Sequence, residues 1–163
     1  MGVGELRIGS IGARSLAVSW QWPALPNGPG VRFLLQVQLL DSPNAGAFAN
    51  SFSLLNVSAC CSANVSSLAP YSLYSVTLLV CNSIATSCGV TPAVSARTLS
   101  APPTGVSAPA PTLLSPTAVG VSWSAPAEPN GLTPLTYELL RCIHGSAAGI
   151  YCTKLQMFVL CFL

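Results

Sequence analysis

A ten-residue segment that occurs twice is the feature that most restricts how this sequence can fold. Residues 19–28 read SWQWPALPNG and residues 122–131 read SWSAPAEPNG, so a tryptophan, two prolines and an Asn-Gly pair match without a gap. The copies are 103 positions apart in a chain of 163 residues. A repeat of this length indicates two copies of one structural unit.

The residues that lead into each copy alternate between apolar and small or polar types. The residues in phase are Leu16, Val18 and Trp20 in the first copy and Val119, Val121 and Trp123 in the second. Side chains two positions apart lie on one face of a β-strand, so Trp20 and Trp123 are predicted core residues. Proline then ends each strand, and Asn-Gly favours a tight reversal. An apolar strand is predicted after each copy, over residues 33–40 and 135–140.

Further along the first copy, residues 68–74 read LAPYSLY and lead into a strand with alternating apolar residues. A proline corner followed by a tyrosine predicts that the Tyr74 ring packs in the core while its hydroxyl bonds to upstream backbone. Together with Trp-x-x-Pro at Trp20 and Trp123 and with Ala-Pro-Pro at 101–103, this pattern resembles the fibronectin type III family over roughly residues 3–141. The resemblance implies an all-β, immunoglobulin-like sandwich.

The predicted organisation is one complete module followed by part of another. Residues 1–100 are expected to form a fibronectin type III-like module, and residues 101–141 to supply the first three strands of a second, truncated copy. Residues 142–163 lack a second tyrosine corner and later strands, and we expect an aberrant, disordered, cysteine-containing tail. A membrane-associating role for this tail is a weaker alternative, since it is too short to span a bilayer.

Two cysteines are spaced for a disulfide between neighbouring strands. Cys81 ends one predicted strand and Cys88 begins the next, so their Cα atoms can approach within bonding range. The alternative is two free thiols in a cytosolic protein. This cysteine-bearing region also resembles modules of a large matrix-type protein of sensory epithelia. The pairing of Cys60 and Cys61 stays open, and no Cys-x2-Cys spacing suggests a metal site.

The compartment is predicted from several weak signals that agree. Asn56 and Asn64 each begin an Asn-x-Ser sequon in a region expected to be exposed, so both are candidate N-glycosylation sites. Disulfide, sequons and family resemblance favour an extracellular or cell-surface location. The amino terminus has no signal peptide pattern, which fits a fragment.

Composition argues against catalysis and against charged partners. The chain has six basic and four acidic residues without a run of either sign, and a single histidine. We therefore expect no catalytic, cofactor-binding or metal-binding residues, no nucleic-acid partner and no small-molecule substrate. The expected role is a spacer and adhesion module with matrix or cell-surface protein partners, and membrane attachment only through other parts of a full-length protein. The alternative is a fragment of a signalling receptor ectodomain, for example of the receptor tyrosine phosphatase type.

Overall fold

The computed structural model describes residues 4–24, 30–44, 52–57, 61–82, 88–144 and 150–155, and these contain strands and no helix. Twelve strands occur in the described residues. In chain order they are β1 (Arg7–Ile11), β2 (Leu16–Ser19), β3 (Arg32–Asp41), β4 (Phe52–Val57), β5 (Ser62–Val65), β6 (Leu73–Cys81), β7 (Gly89–Val90), β8 (Val94–Arg97), β9 (Ala110–Ser115), β10 (Ala118–Ser122), β11 (Leu139–His144) and β12 (Ile150–Leu155).

The first eight strands form two antiparallel sheets. One sheet has the order β1-β2-β5, and the other has the order β4-β3-β6-β7 with β8 also paired to β6. The longest pairing aligns β3 with β6, from Arg32 opposite Cys81 to Asp41 opposite Leu73. Two antiparallel sheets with apolar faces packed together make a β-sandwich, which confirms the predicted fold class.

The core lies between these sheets and follows from the alternation within the strands. Most of its buried side chains come from the central strands, namely Leu16 and Val18 of β2, Phe33, Leu35, Val37 and Leu39 of β3, and Tyr74, Val76, Leu78 and Val80 of β6. Burying one such aliphatic side chain stabilises the folded state by about 1.5–3 kcal/mol. This shared interior holds the two sheets together.

The tryptophans of the first copy have different environments. Trp20 is 4% exposed, and its ring centroid lies 5.5 Å from that of Phe33. Trp22 is 49% exposed but still contacts the edge of Phe33, with centroids 5.4 Å apart. Trp20 therefore occupies the predicted core position, whereas Trp22 lies at the rim, where the chain bends at the buried Pro23.

The second copy begins with a two-stranded hairpin in which β10 pairs with β9. Val119 is 58% exposed and Val121 is 37% exposed, whereas the matching Leu16 and Val18 are almost completely buried. Trp123 is half-buried, so its predicted core position is wrong in this structure. The reason is that β2 lies between two strands and its apolar face packs against the second sheet, whereas β10 pairs only with β9 in the described chain.

The chain divides into two compact units, Met1–Leu132 and Thr133–Leu163. In the second unit, β11 and β12 pair in register from Leu139 opposite Leu155 to His144 opposite Ile150. The expectation of a disordered tail is therefore wrong for residues 142–144 and 150–155. A disulfide joins Cys142 to Cys152, which are directly opposite each other, and this cross-link stabilises the hairpin.

The third strand of the second copy is also displaced from its predicted position. We expected it over residues 135–140, but β11 covers Leu139–His144. Leu135 and Tyr137 lie in irregular chain before it. An ion pair between Lys154 and Glu138, 3.2 Å apart, lies at the end of the hairpin away from its loop.

Candidate functional site at the Asn44–Asn130 junction

The candidate site is built on a tyrosine corner just before β6. The hydroxyl of Tyr74 accepts a hydrogen bond from the backbone amide of Ala69 at 2.8 Å, and the tyrosine is 7% exposed. Leu68 is buried beside it, with its amide donating to the carbonyl of Arg14 at 3.1 Å. The corner is fixed by a buried ring and by bonds to its own backbone, as the sequence pattern predicted.

Hydroxyl groups hold the rest of this corner in place. The backbone amide of Ser72 donates to Thr98 Oγ1 at 2.9 Å, and that hydroxyl donates to the carbonyl of Ala69 at 2.7 Å. Ser72 Oγ donates to the carbonyl of Pro70 at 2.8 Å. Ser72 and Thr98 are both buried, and such groups need partners because an unpaired buried polar group is costly. The corner is thus a rigid platform.

Asn44 lies on this platform, and its side chain bonds to two separate segments of the chain. Its Nδ2 donates to the carbonyl of Pro70 at 3.1 Å, and its Oδ1 accepts from the backbone amide of Asn130 at 3.0 Å. Asn44 is 4% exposed, so both bonds are shielded from water. One amide side chain therefore links the tyrosine corner of the first copy to the Asn-Gly turn of the second.

Asn130 is completely buried and has a positive φ of 53°. Asparagine tolerates this left-handed conformation better than most residues. Its Nδ2 donates to the carbonyl of Pro102 at 2.9 Å, while its own carbonyl accepts from the amide of Ala101 at 2.9 Å. The turn is therefore tied to the Ala-Pro-Pro linker as well as to Asn44.

A backbone bridge continues the junction along the linker. Thr104 and Glu128 exchange two amide-to-carbonyl hydrogen bonds, at 2.9 and 3.1 Å. Gly105 follows with φ of 69°, and a Cβ added there would lie 2.7 Å from the Cβ of Ala127. A glycine is required at this position by both the conformation and the close approach.

The central groups of the junction are uncharged and bind one another. They are amides, hydroxyls and backbone carbonyls. Arg14 and Glu128 lie in the lining of a half-open cleft of about 200 Å³ beside it. The central groups link the tyrosine corner, the linker and the Asn-Gly turn, so the arrangement is suited to fixing the orientation of chain segments.

The other predicted site residues lie away from the junction. Cys81 and Cys88 form a disulfide with a Cα–Cα distance of 4.4 Å. Asn56 in β4 and Asn64 in β5 are exposed on outer strands of the two sheets. Their glycosylation stays a prediction. Cys61 is also disulfide-bonded, and Cys60 lies outside the described residues.

Sequence reasoning missed the junction, although one signal for it was present. The repeated Pro-Asn-Gly predicts only a turn, whereas the copy at Asn130 also carries the contact to Asn44. Asn44 itself follows Ser42-Pro43, which is an ordinary turn composition. The partnership of the two residues depends on how separate segments pack and has no local pattern.

Membrane-spanning helices and metal clusters are both absent from the described residues. These residues include no helix with the length and hydropathy needed to cross a bilayer. Within the same part of the chain, no three side chains of the His, Cys, Asp or Glu types are grouped so as to hold a metal ion.

Comparison with known proteins gives matches in sequence and in structure. No family model matches the chain. Usherin from Mus musculus is 32% identical over 133 residues, and usherin from Rattus norvegicus is 31% identical over 140 residues. The alignments cover 78% and 86% of this chain but only 2% of each relative.

Among solved structures, the FN5 domain of Drosophila Lar covers 61% of this chain and 96% of its own length, with 20% identity and a TM-score of 0.47.

Proposed function

Because the chain is a fibronectin type III-like protein similar in sequence to usherin, we propose that it acts as a non-enzymatic spacer and adhesion module of a long extracellular protein. The chain corresponds to about 2% of the length of these relatives, so it would supply one segment of a much longer array. In such an array, loops and strand faces are presented to protein partners by a rigid scaffold.

The observation that carries the proposal is the buried contact between Asn44 and Asn130. A spacer has to transmit orientation from one module to the next, and a flexible linker would not do so. Here the linker at 101–104 is held on one side by Asn130 and continues into the Thr104–Glu128 bridge. These bonds limit rotation about the linker and support a fixed angle between successive modules.

NMR relaxation of the full chain tests the spacer role. In the wild type, amides of β3 and β6 and amides of β9 and β10 should report one common rotational correlation time. The Asn44→Ala variant should separate the two values, because Asn130 loses its anchor. Independent tumbling in the wild type would contradict the spacer role.

Peptide mapping tests the extracellular part of the proposal. The chain is secreted from a cell line behind an added signal peptide and digested with and without reduction. We expect a Cys81–Cys88 bridge and a glycan on Asn56 or Asn64, since both asparagines are exposed. Folded material with free thiols and no glycan would favour an intracellular setting.

A further inference from the structure

We propose that the outer edge of β10 is a self-association site, where a second copy of this chain pairs its own β10 in antiparallel orientation. The proposal starts from the internal repeat, which aligns β10 with β2 residue by residue. Val119 and Val121 correspond to Leu16 and Val18 at the common offset of 103 positions. The same strand type therefore occurs twice in one chain, in two different environments.

The environment of β2 shows what this strand type binds. One edge of β2 pairs with β1, and the other pairs with β5 in antiparallel register from Leu16 opposite Val65 to Ser19 opposite Ser62. Leu16 and Val18 are 0% and 2% exposed as a result of this pairing and of the opposing sheet. In the first copy, the second edge of β2 is thus paired with β5, a short, uncharged, antiparallel strand.

In the second copy, that position beside β10 has no strand among the described residues. Val119 remains 58% exposed and Val121 remains 37% exposed, and Leu113, opposite Val119 in β9, is 78% exposed. An open strand edge beside an apolar face is a template for pairing with another chain. The same hairpin contains none of the lysines or inward-pointing charges that usually block such pairing, since residues 110–122 carry no charge.

The sequence of β10 favours a second copy as the occupant. Val119-Gly120-Val121 reads the same in both directions, so a two-fold axis at Gly120 places each Val119 opposite a Val121 of the other copy. That pairing is isologous and closes as a dimer. It repeats the apolar-to-apolar register seen between β2 and β5, and because both strands are neutral, no charge opposes it.

The β9 edge is the less favourable choice within the same hairpin. Pro111 in β9 has no amide hydrogen to donate to a ladder. Its counterpart in the first copy, β1, is an outer strand, whereas β2 is an inner one. Of the two edges of the hairpin, the β10 edge is therefore the one whose equivalent in the first copy is paired with another strand.

Sedimentation velocity of the full chain over a hundredfold concentration range tests the proposal. The wild type should shift from monomer to dimer as concentration rises, and Val121→Lys should remain monomeric. Leu132→Lys is the matched control, because Leu132 is 72% exposed and lies outside the hairpin. A wild type that stays monomeric, or a Val121→Lys variant that dimerises like the control, would overturn the proposal.

A cross-linking experiment keeps the test independent of the lysine variant. Residues opposite each other in antiparallel strands have Cα atoms about 4.5–5.5 Å apart, within disulfide range. Gly120→Cys fits the strand, because its Cβ would lie 3.4 Å from the nearest Leu114 carbon. Mild oxidation of this variant should give a covalent dimer, and peptide mapping should show that the introduced thiols of the two copies are joined to each other. The Leu132→Cys variant should give no such dimer. If the chain instead stays monomeric and binds a synthetic peptide of residues 61–66, the edge accepts a foreign strand and the second-copy proposal is wrong.

Discussion

The backbone amide of Asn130 donates to the side-chain Oδ1 of Asn44 at 3.0 Å, across a separation of 86 residues. Both residues are buried, and the Asn44 side chain also holds the carbonyl of Pro70. A contact so distant in sequence and so protected from water links the tyrosine corner to the start of the second copy.

Asn44→Ala should destabilise the chain by about 1–3 kcal/mol, because it leaves the buried amide of Asn130 without its acceptor and removes one of the two donors to the carbonyl of Pro70. Urea denaturation measures the change. Asn64→Ala is the matched control, since Asn64 is exposed on β5 and its loss should change stability by less than about 0.5 kcal/mol. Equal effects of the two substitutions would show that the junction contributes nothing.

Asn130→Asp should destabilise the chain in a pH-dependent way. The Nδ2 donor to Pro102 would be replaced by a carboxylate oxygen, and Asn130 Oδ1 already has no partner among the described residues. Burial beside the carbonyl of Pro102, with the Thr104 hydroxyl as one possible donor, raises the pKa of such a carboxyl group above its unfolded value, so the folded state would favour the protonated form. The stability deficit relative to wild type should therefore be largest near pH 7 and shrink towards pH 4. A deficit that is constant with pH in parallel urea titrations would contradict this.

Tyr74→Phe should cost about 1–3 kcal/mol, because the amide of Ala69 loses its acceptor while the buried ring is retained. Thermal unfolding followed by circular dichroism provides the measurement. Tyr71→Phe serves as the comparison, because the aromatic face over which Arg97 lies, 5.0 Å from the ring centroid, is kept. An unchanged midpoint for Tyr74→Phe would mean that the corner does not need the hydroxyl.

The two repeat tryptophans should respond differently to truncation. Trp20→Ala removes a buried ring that contacts Phe33, and we expect a loss of about 3–5 kcal/mol. Trp123→Ala removes a half-buried ring, and we expect a loss of about 1 kcal/mol. Chemical denaturation of both variants at one pH measures the two losses of unfolding free energy, which can then be compared. Similar losses would indicate that the second copy has a core comparable to the first.

Removal of the Cys142–Cys152 bridge by serine at both positions should unfold β11 and β12 without unfolding the sandwich. An isolated two-stranded hairpin is only marginally stable in water, and the cross-link contributes roughly 2–3 kcal/mol on the chain-entropy model. Hydrogen exchange should become fast for amides of β11 and β12 and stay slow for β3 and β6. Retained protection in β11 would show that other contacts hold the hairpin.

Local sequence patterns were enough to predict the sandwich of the first copy. Alternation at Leu16, Val18 and Trp20 and the proline corner before Tyr74 each follow from the two-residue period of a strand or from fixed backbone angles. The disulfide between Cys81 and Cys88 could be predicted for the same reason, because the ends of neighbouring strands bring the two cysteines close together. Local rules suffice where the residues that interact are near in sequence or in adjacent strands.

Long-range packing set the remaining features. Val121 and Trp123 carry the same pattern as their counterparts in the first copy, yet their exposure depends on whether other strands cover them, which no single strand encodes. The junction of Asn44 with Asn130 depends on two distant turns meeting. In each case the deciding interaction joins separate segments, and a pattern of neighbouring residues carries no information about which distant segment supplies it.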